Sequence, residues 1–210
     1  MPILHRVFPY VATAPKDQPG GAVYVPPQGG GRLDNPGIYS ILYLSDAPAG
    51  AIAEAFGRFP EWNAAILEGA PSLPGSARAL AHFHLPDDAP ICNLDDPALL
   101  QTLGLRSSDI VSRDYARSRA WARRIYEQGS WFGARWWSYY DSQWASFGLW
   151  NISRLKLDEV KVLRLDDPAL VDASRTIARR IVLRPHKVRT DPGRAGAAML
   201  SSLKKSTPHR

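Results

Sequence analysis

Apolar positions alternate with polar ones in some stretches of the chain and recur every three to four residues in others; these two periods separate strands from helices. Leu4-His5-Arg6-Val7-Phe8 predicts a first short strand. Ile38 to Leu44 is a continuous apolar run rich in β-branched and aromatic residues, which predicts a buried strand. Ala79 to Leu85 alternates, with His82 and His84 on one face, and Ile91–Leu94 and Val160–Leu165 predict two more strands. Helical spacing predicts a helix over 47–59 with Ile52, Ala55, Phe56 and Phe59 inward. A second helix is predicted over 115–128 with Tyr115, Ala122, Ile125 and Tyr126 inward, and a third over 167–181. Ser45 or Asp46 is placed to cap the first of these, with Pro48 in its opening turn. Asp-Asp-Pro-Ala-Leu occurs at 95–99 and again at 166–170, each time where a strand hands over to a helix. Gly129 suits the left-handed residue that ends a helix.

Between the first two strands the pattern dissolves into glycine and proline: Gly20-Gly21, Pro26-Pro27, Gly29-Gly30-Gly31. A loop of this length inside a compact domain is usually functional or mobile. Strands and helices mix without a βαβ rhythm. No Gly-x-Gly-x-x-Gly follows the first strand, and the glycine run lacks a Gly-Lys-Ser/Thr end, which argues against a Rossmann site and a P-loop. The expected class is α+β, a mixed β-sheet core with flanking helices.

Composition narrows this picture in three places. The 210 residues suit one domain, expected over 1–190, with a basic tail over 191–210. The net charge of +6 is uneven: residues 175–210 hold ten Lys/Arg against the single acid Asp191, while residues 1–174 hold 16 Lys/Arg against 19 acids. The body is mildly acidic, so direct nucleic-acid binding is not expected. Cys92 is the one cysteine, which excludes an intrachain disulfide and fits a reducing, cytoplasmic compartment. No apolar stretch approaches the roughly 20 residues of a membrane span, and the N-terminus lacks the pattern of a secretory signal.

Two constellations carry candidate chemistry. Gly31-Arg32-Leu33-Asp34-Asn35-Pro36-Gly37 places an arginine where unobstructed backbone allows an anion to approach its fork. Tyr43, near the end of a strand, offers a ring to a pocket mouth, and Glu54, on the helix that follows, a carboxylate that can steady developing positive charge. From spacing alone the same residues also read as a surface arginine, a core tyrosine and a solvated glutamate. The second constellation is Arg135-Trp136-Trp137-Ser138-Tyr139-Tyr140-Asp141, within a region holding six of the seven tryptophans between Trp121 and Trp150. It reads either as core or as the wall of a pocket for a flat heterocycle. Ser138 has no Gly-x-Ser-x-Gly around it, so a nucleophile elbow is absent. His82 and His84 have a spacing a metal could use, but without a third ligand nearby no metal site is expected.

Arg6-Val7-Phe8, the Gly31–Gly37 turn, Leu42 to Pro48 with Ala53-Glu54, and Trp136-Trp137-Ser138 together resemble the RES domain family, over about Leu4 to Leu165. The resemblance implies an ADP-ribosyltransferase-like fold and a bacterial toxin that cleaves NAD at the nicotinamide bond, by hydrolysis or phosphorolysis, with NAD as substrate and no other cofactor. It also implies a helix-turn-helix, Xre-like antitoxin that blocks the pocket, in a complex that can be oligomeric. Carried onto this chain, Glu54, Arg32 and Ser138 become catalytic, and Arg6, Arg32, Tyr43 and Ser138 NAD-binding; Ser142 and Ser146 stand close enough to Ser138 to be alternatives. The turn departs from the family's Gly-Arg-Trp-Asn by one extra residue, Leu33-Asp34 preceding Asn35. Transfer of ADP-ribose to a protein, or a fold retained purely for interaction, are the alternative functions.

Overall fold

A computed structural model describes residues 2–183. The chain runs β1 (Ile3–Tyr10), β2 (Leu42–Ser45), α1 (Pro48–Phe56), β3 (Glu61–Trp62), a single 3₁₀ turn (Ala64–Leu67), β4 (Ala77–His84), β5 (Ile91–Asn93), α2 (Pro97–Thr102), α3 (Ser107–Val111), α4 (Tyr115–Glu127), β6 (Gly133–Trp137), β7 (Ala145–Leu149), β8 (Lys156–Val162), α5 (Pro168–Thr176) and β9 (Arg180–Ile181). Seven strands form one sheet in the order β5-β6-β7-β2-β1-β4-β8, and β3 and β9 pair separately in parallel. Within the large sheet only β5 and β6 run parallel, so the class is mixed α+β as expected. The tail over 191–210 lies outside the described residues.

Several predicted boundaries move. The run Ile38–Leu44 yields a strand only from Leu42; Ile41 is instead held by Gln28, which accepts from its N–H at 2.8 Å and donates to its carbonyl at 2.7 Å. Neither Ser45 nor Asp46 takes the N-cap position of α1, which is Ala47 without a side-chain cap. Ser45 Oγ donates to the Ala145 carbonyl, and Asp46 accepts from the Ala145 N–H, so both serve the strand pairing. The repeated Asp-Pro junction also diverges: Asp96 caps α2 through the Ala98 N–H, whereas Asp167 accepts from the Arg164 N–H and pairs with Lys161. The helix predicted to reach 181 ends at Thr176, and the last strand of the sheet starts at Lys156 rather than Val160. Tyr115, predicted inward, is exposed, while Trp121, Ala122 and Ile125 fill the buried face of α4. Gly129 closes that helix at φ +68°, as its position suggested.

Three packed clusters position the site. One face of the sheet buries Leu4, Phe8, Leu44, Phe83 and Phe147 beneath the glycine- and proline-rich loop. The other face carries helices at both ends. There α1 and α5 pack Ile52, Phe56 and Leu170 against Leu80 and Trp62. At the opposite end α3 and α4 pack Ile110, Trp121 and Ile125 against Cys92 and Ala134. Between the two helical groups the sheet is uncovered. It also opens there, because β1 and β2 share a single registered pair, His5 with Ser45, whereas β1 and β4 are registered along their whole length.

Candidate active site

The gap holds a cavity of about 790 Å³, within the range of small-molecule sites. Its floor follows from register. His5 lies opposite Ser45, Ser45 opposite Ser146, and Ser146 opposite Trp136, so one cross-strand row crosses four strands. Residues opposite one another share a face, and all four side chains line the cavity. On the far side of His5 the row continues into His82, whose Nδ1 is 3.1 Å from the Nδ1 of His5. His82 thus packs against the His5 ring, and among the described residues no group of three His, Cys, Asp or Glu could hold a metal ion.

Glu54 is the one carboxylate in the lining formed by described residues. Three- and four-residue spacing puts Ala51, Glu54 and Ala55 on one stripe of α1, and the flanking alanines leave the carboxylate room to reach the floor. Ser138 Oγ donates to Glu54 Oε1 at 2.9 Å and Ser146 Oγ at 3.5 Å. Glu54 is open to the cavity yet crowded by protein on its other sides. That burial pushes its pKa up; the two serine hydroxyls and the charge of Arg32 pull it back down. Ser138 is 3% exposed and lies just after β6, its N–H donating to the Trp144 carbonyl and its Oγ accepting from the Tyr140 N–H. Ser142 is exposed on the following turn, away from Glu54. The structure therefore brings Ser138 and Ser146 to the glutamate and leaves Ser142 out.

Arg6, Arg32 and Tyr43 also line the cavity, but each has an architectural duty the sequence did not reveal. Arg6 donates to the carbonyls of Ala22 and Tyr24 at 2.7 and 2.8 Å, fastening the glycine- and proline-rich loop to β1. Burial lowers its pKa to about 10, which leaves it charged at neutral pH. Arg32 Nη1 donates to the carbonyls of Ile110 and Ser112, tying the glycine turn to the end of α3. Tyr43, whose ring was expected to offer a stacking face at the pocket mouth, is held by its hydroxyl, which donates to Asp34 Oδ1 at 2.7 Å and accepts from the Leu33 N–H at 3.0 Å. Burial and the Asp34 carboxylate raise its pKa. Asp34 in turn accepts from the N–H groups of Gly29 and Gly31. Asn35 donates to Tyr39 and to the Arg119 carbonyl, and Ser118 donates to the Arg32 carbonyl. The glycine turn is thus stapled, not loose, and it presents the rest of the Arg32 fork to the cavity.

His5, Ser45, Ser146 and Arg113 line the same cavity and were not singled out for it from sequence, although Ser146 was weighed as an alternative serine; Tyr139 and Tyr140, from the aromatic constellation, line it too. His5 is nearly buried, and its pKa falls to about 4, through burial first and His82 second. The floor is thus a neutral imidazole and hydroxyls, the roof one carboxylate, and the rim arginines and aromatic rings. A cationic centre fits near Glu54 and anionic groups fit near the rim.

The comparisons agree with this architecture. The crystal structure of the M. tuberculosis MbcT-MbcA toxin-antitoxin complex contains a chain of similar fold, with a TM-score of 0.54 at 15% identity, over 84% of this chain and 88% of that one. No curated protein matches the sequence. The RES domain matches residues 3–170, which span every cavity residue named here, and the chain belongs to the RES domain family.

Proposed function

We propose that the protein is a toxin-type enzyme that cleaves NAD at the nicotinamide glycosidic bond, in the cytoplasm, and is neutralised by an antitoxin partner. The observation that carries this reading is Glu54, a single carboxylate held by two buried serine hydroxyls in a cavity otherwise lined by arginines, hydroxyls and aromatic rings. Loss of nicotinamide passes through a ribosyl cation. A carboxylate already oriented stabilises that cation without reorganising. Ser138 and Ser146 keep Glu54 pointed at the floor, and their hydrogen bonds favour its ionised form. Water or phosphate then captures the cation from the open side. Membership of the RES domain family and the toxin-antitoxin structural neighbour support the toxin reading.

The test is direct. Purified protein is mixed with NAD, with and without phosphate, and the products are identified. Nicotinamide release is expected, with ADP-ribose or its 1″-phosphate as the other product. Glu54→Gln is expected to fold normally and to lose roughly 10²–10³ in kcat, the scale of one electrostatic group. Wild-type protein that leaves NAD intact, or a Glu54→Gln variant with full turnover, overturns the proposal.

A further inference from the structure

Three arginines line the cavity, and they are not equivalent. Arg6 lies deep, with both terminal nitrogens on loop carbonyls. Arg32 has Nη1 committed to two carbonyls, and its Nε and Nη2 make no hydrogen bond among the described residues. Arg113, in the loop between α3 and α4, is exposed, and among the described residues its guanidinium bonds only to Tyr139: Nη2 donates to the hydroxyl at 3.2 Å, and the guanidinium lies 5.8 Å from the ring centre. Tyr139 is 72% exposed and stands on the opposite lip, just beyond β6. Arg113 therefore bridges the mouth through one neutral contact.

The arginines in the wall around it, Arg32, Arg113 and Arg119, make no ion pair among the described residues. The nearby acids are occupied: Asp109 holds Arg117, Asp114 caps α4, and Asp34 is filled by Gly29, Gly31 and Tyr43. The Tyr115 ring sits between the guanidiniums of Arg32 and Arg119, at 5.6 and 6.0 Å. Arg32 also holds the carbonyl of Ser112, the residue before Arg113, so the two cavity arginines are fixed in one frame. Unpaired guanidiniums beside a cavity suit a multiply charged oxyanion, since each offers a planar fork to phosphate oxygens.

We propose that Arg113 and Arg32 form a diphosphate-binding site at the mouth of the cavity, with Arg113 the arm that leaves Tyr139 to clasp the ligand. This rests on the NAD reading above, because the diphosphate of a dinucleotide is the group such a mouth receives while the nicotinamide end lies at Glu54. A guanidinium–phosphate bond joins two opposite charges, whereas the phenol it replaces is an uncharged acceptor, so the exchange favours the phosphate. Arg6, with its donors on the loop, acts on architecture instead.

Calorimetry with ADP, adenosine and orthophosphate, together with NAD kinetics, tests the site on the full chain. Arg113→Ala is expected to weaken ADP binding about tenfold and to leave adenosine binding within about twofold. The loss in NAD turnover falls on KM rather than kcat, and Arg113→Lys recovers only part of it, because a point charge replaces a fork. Unchanged ADP affinity, an equal loss for adenosine, or orthophosphate binding as tightly as ADP would overturn the assignment. Arg113-dependent ADP binding by a wild-type protein that does not cleave NAD would sink the catalytic reading and leave this site standing.

Discussion

Glu54 sits under opposing pressures: burial prevails, and Ser138 is the residue that opposes it most. Burial favours the neutral carboxyl, while the Ser138 hydroxyl is the largest influence favouring the anion. Ser138→Ala removes that donor and leaves Glu54 with a higher pKa. The acidic limb of the kcat/KM–pH profile is then expected to move to higher pH, and an unmoved limb would show that Glu54 is not the group titrating. Arg6 gives a contrasting case. Its removal strands two loop carbonyls, so Arg6→Ala is expected to lower stability by about 1–3 kcal/mol in urea unfolding. The sequence offered both Glu54 and Arg6 as pocket residues, and both line the cavity. It could not show that one faces the chemistry and the other fastens a loop, because that depends on which carbonyls fold back over β1.

At the scale of elements, the glycine turn between β1 and β2 is where local pattern said most about composition and least about rigidity. Glycine and proline read as a functional or mobile loop, and the turn proves pinned by Asp34, Tyr43 and Ser118. Gly31 shows why a side chain is excluded: a Cβ there would lie 2.5 Å from both Asp34 Oδ1 and the Tyr43 hydroxyl. Gly31→Ala is therefore expected to break the Tyr43–Asp34 bond, lower the unfolding midpoint and reduce turnover by displacing Arg32; circular dichroism melting and NAD kinetics check both effects. The aromatic run from Trp131 to Trp150 was legible as a wall or a core but not as two strands. It becomes β6 and β7 because the turn through Ser138 and Trp144 folds one half onto the other.

Across the whole molecule, the His5–His82 pair links the cavity floor to acid stability. Folded His5 is held near 4, while the unfolded residue titrates near its ordinary 6.5. The unfolded chain thus binds more protons between these values. The contribution of His5 is fully present above about pH 6.5 and lost as pH falls towards 4, a span worth about 3 kcal/mol at its limit. Glu54, with its raised pKa, works in the opposite sense and offsets part of the loss. Urea unfolding at pH 7 and pH 4.5 is expected to show the decline, and His5→Asn to flatten it. A second molecule-wide prediction concerns the basic C-terminal segment. The cavity lining named here ends at Ser146 and the family match at 170, so truncation after Pro192 is expected to leave NAD turnover unchanged. A soluble but inactive truncation would give the tail a part in the site.

Short-range rules were enough to read most elements from the chain alone. Alternation marks β1 and β4, three-to-four spacing marks α1 and α4, and Pro48, Pro97 and Gly129 mark their ends. Each of these depends on residues within one or two turns of each other. The same rules placed Glu54 on the helix after Tyr43 and found the Gly-Arg turn. Only the tertiary structure decided which residues meet. A strand's period of two says which face a side chain takes but not which residue lies beside it. The row His5–Ser45–Ser146–Trp136 joins segments up to 141 positions apart, and it arises from register between strands. That register chose Ser138 and Ser146 over Ser142. The single pairing between β1 and β2 opened the cavity, and the α3–α4 loop brought Arg113 to its mouth, for reasons that lie in contacts far apart in the chain and invisible to any local pattern.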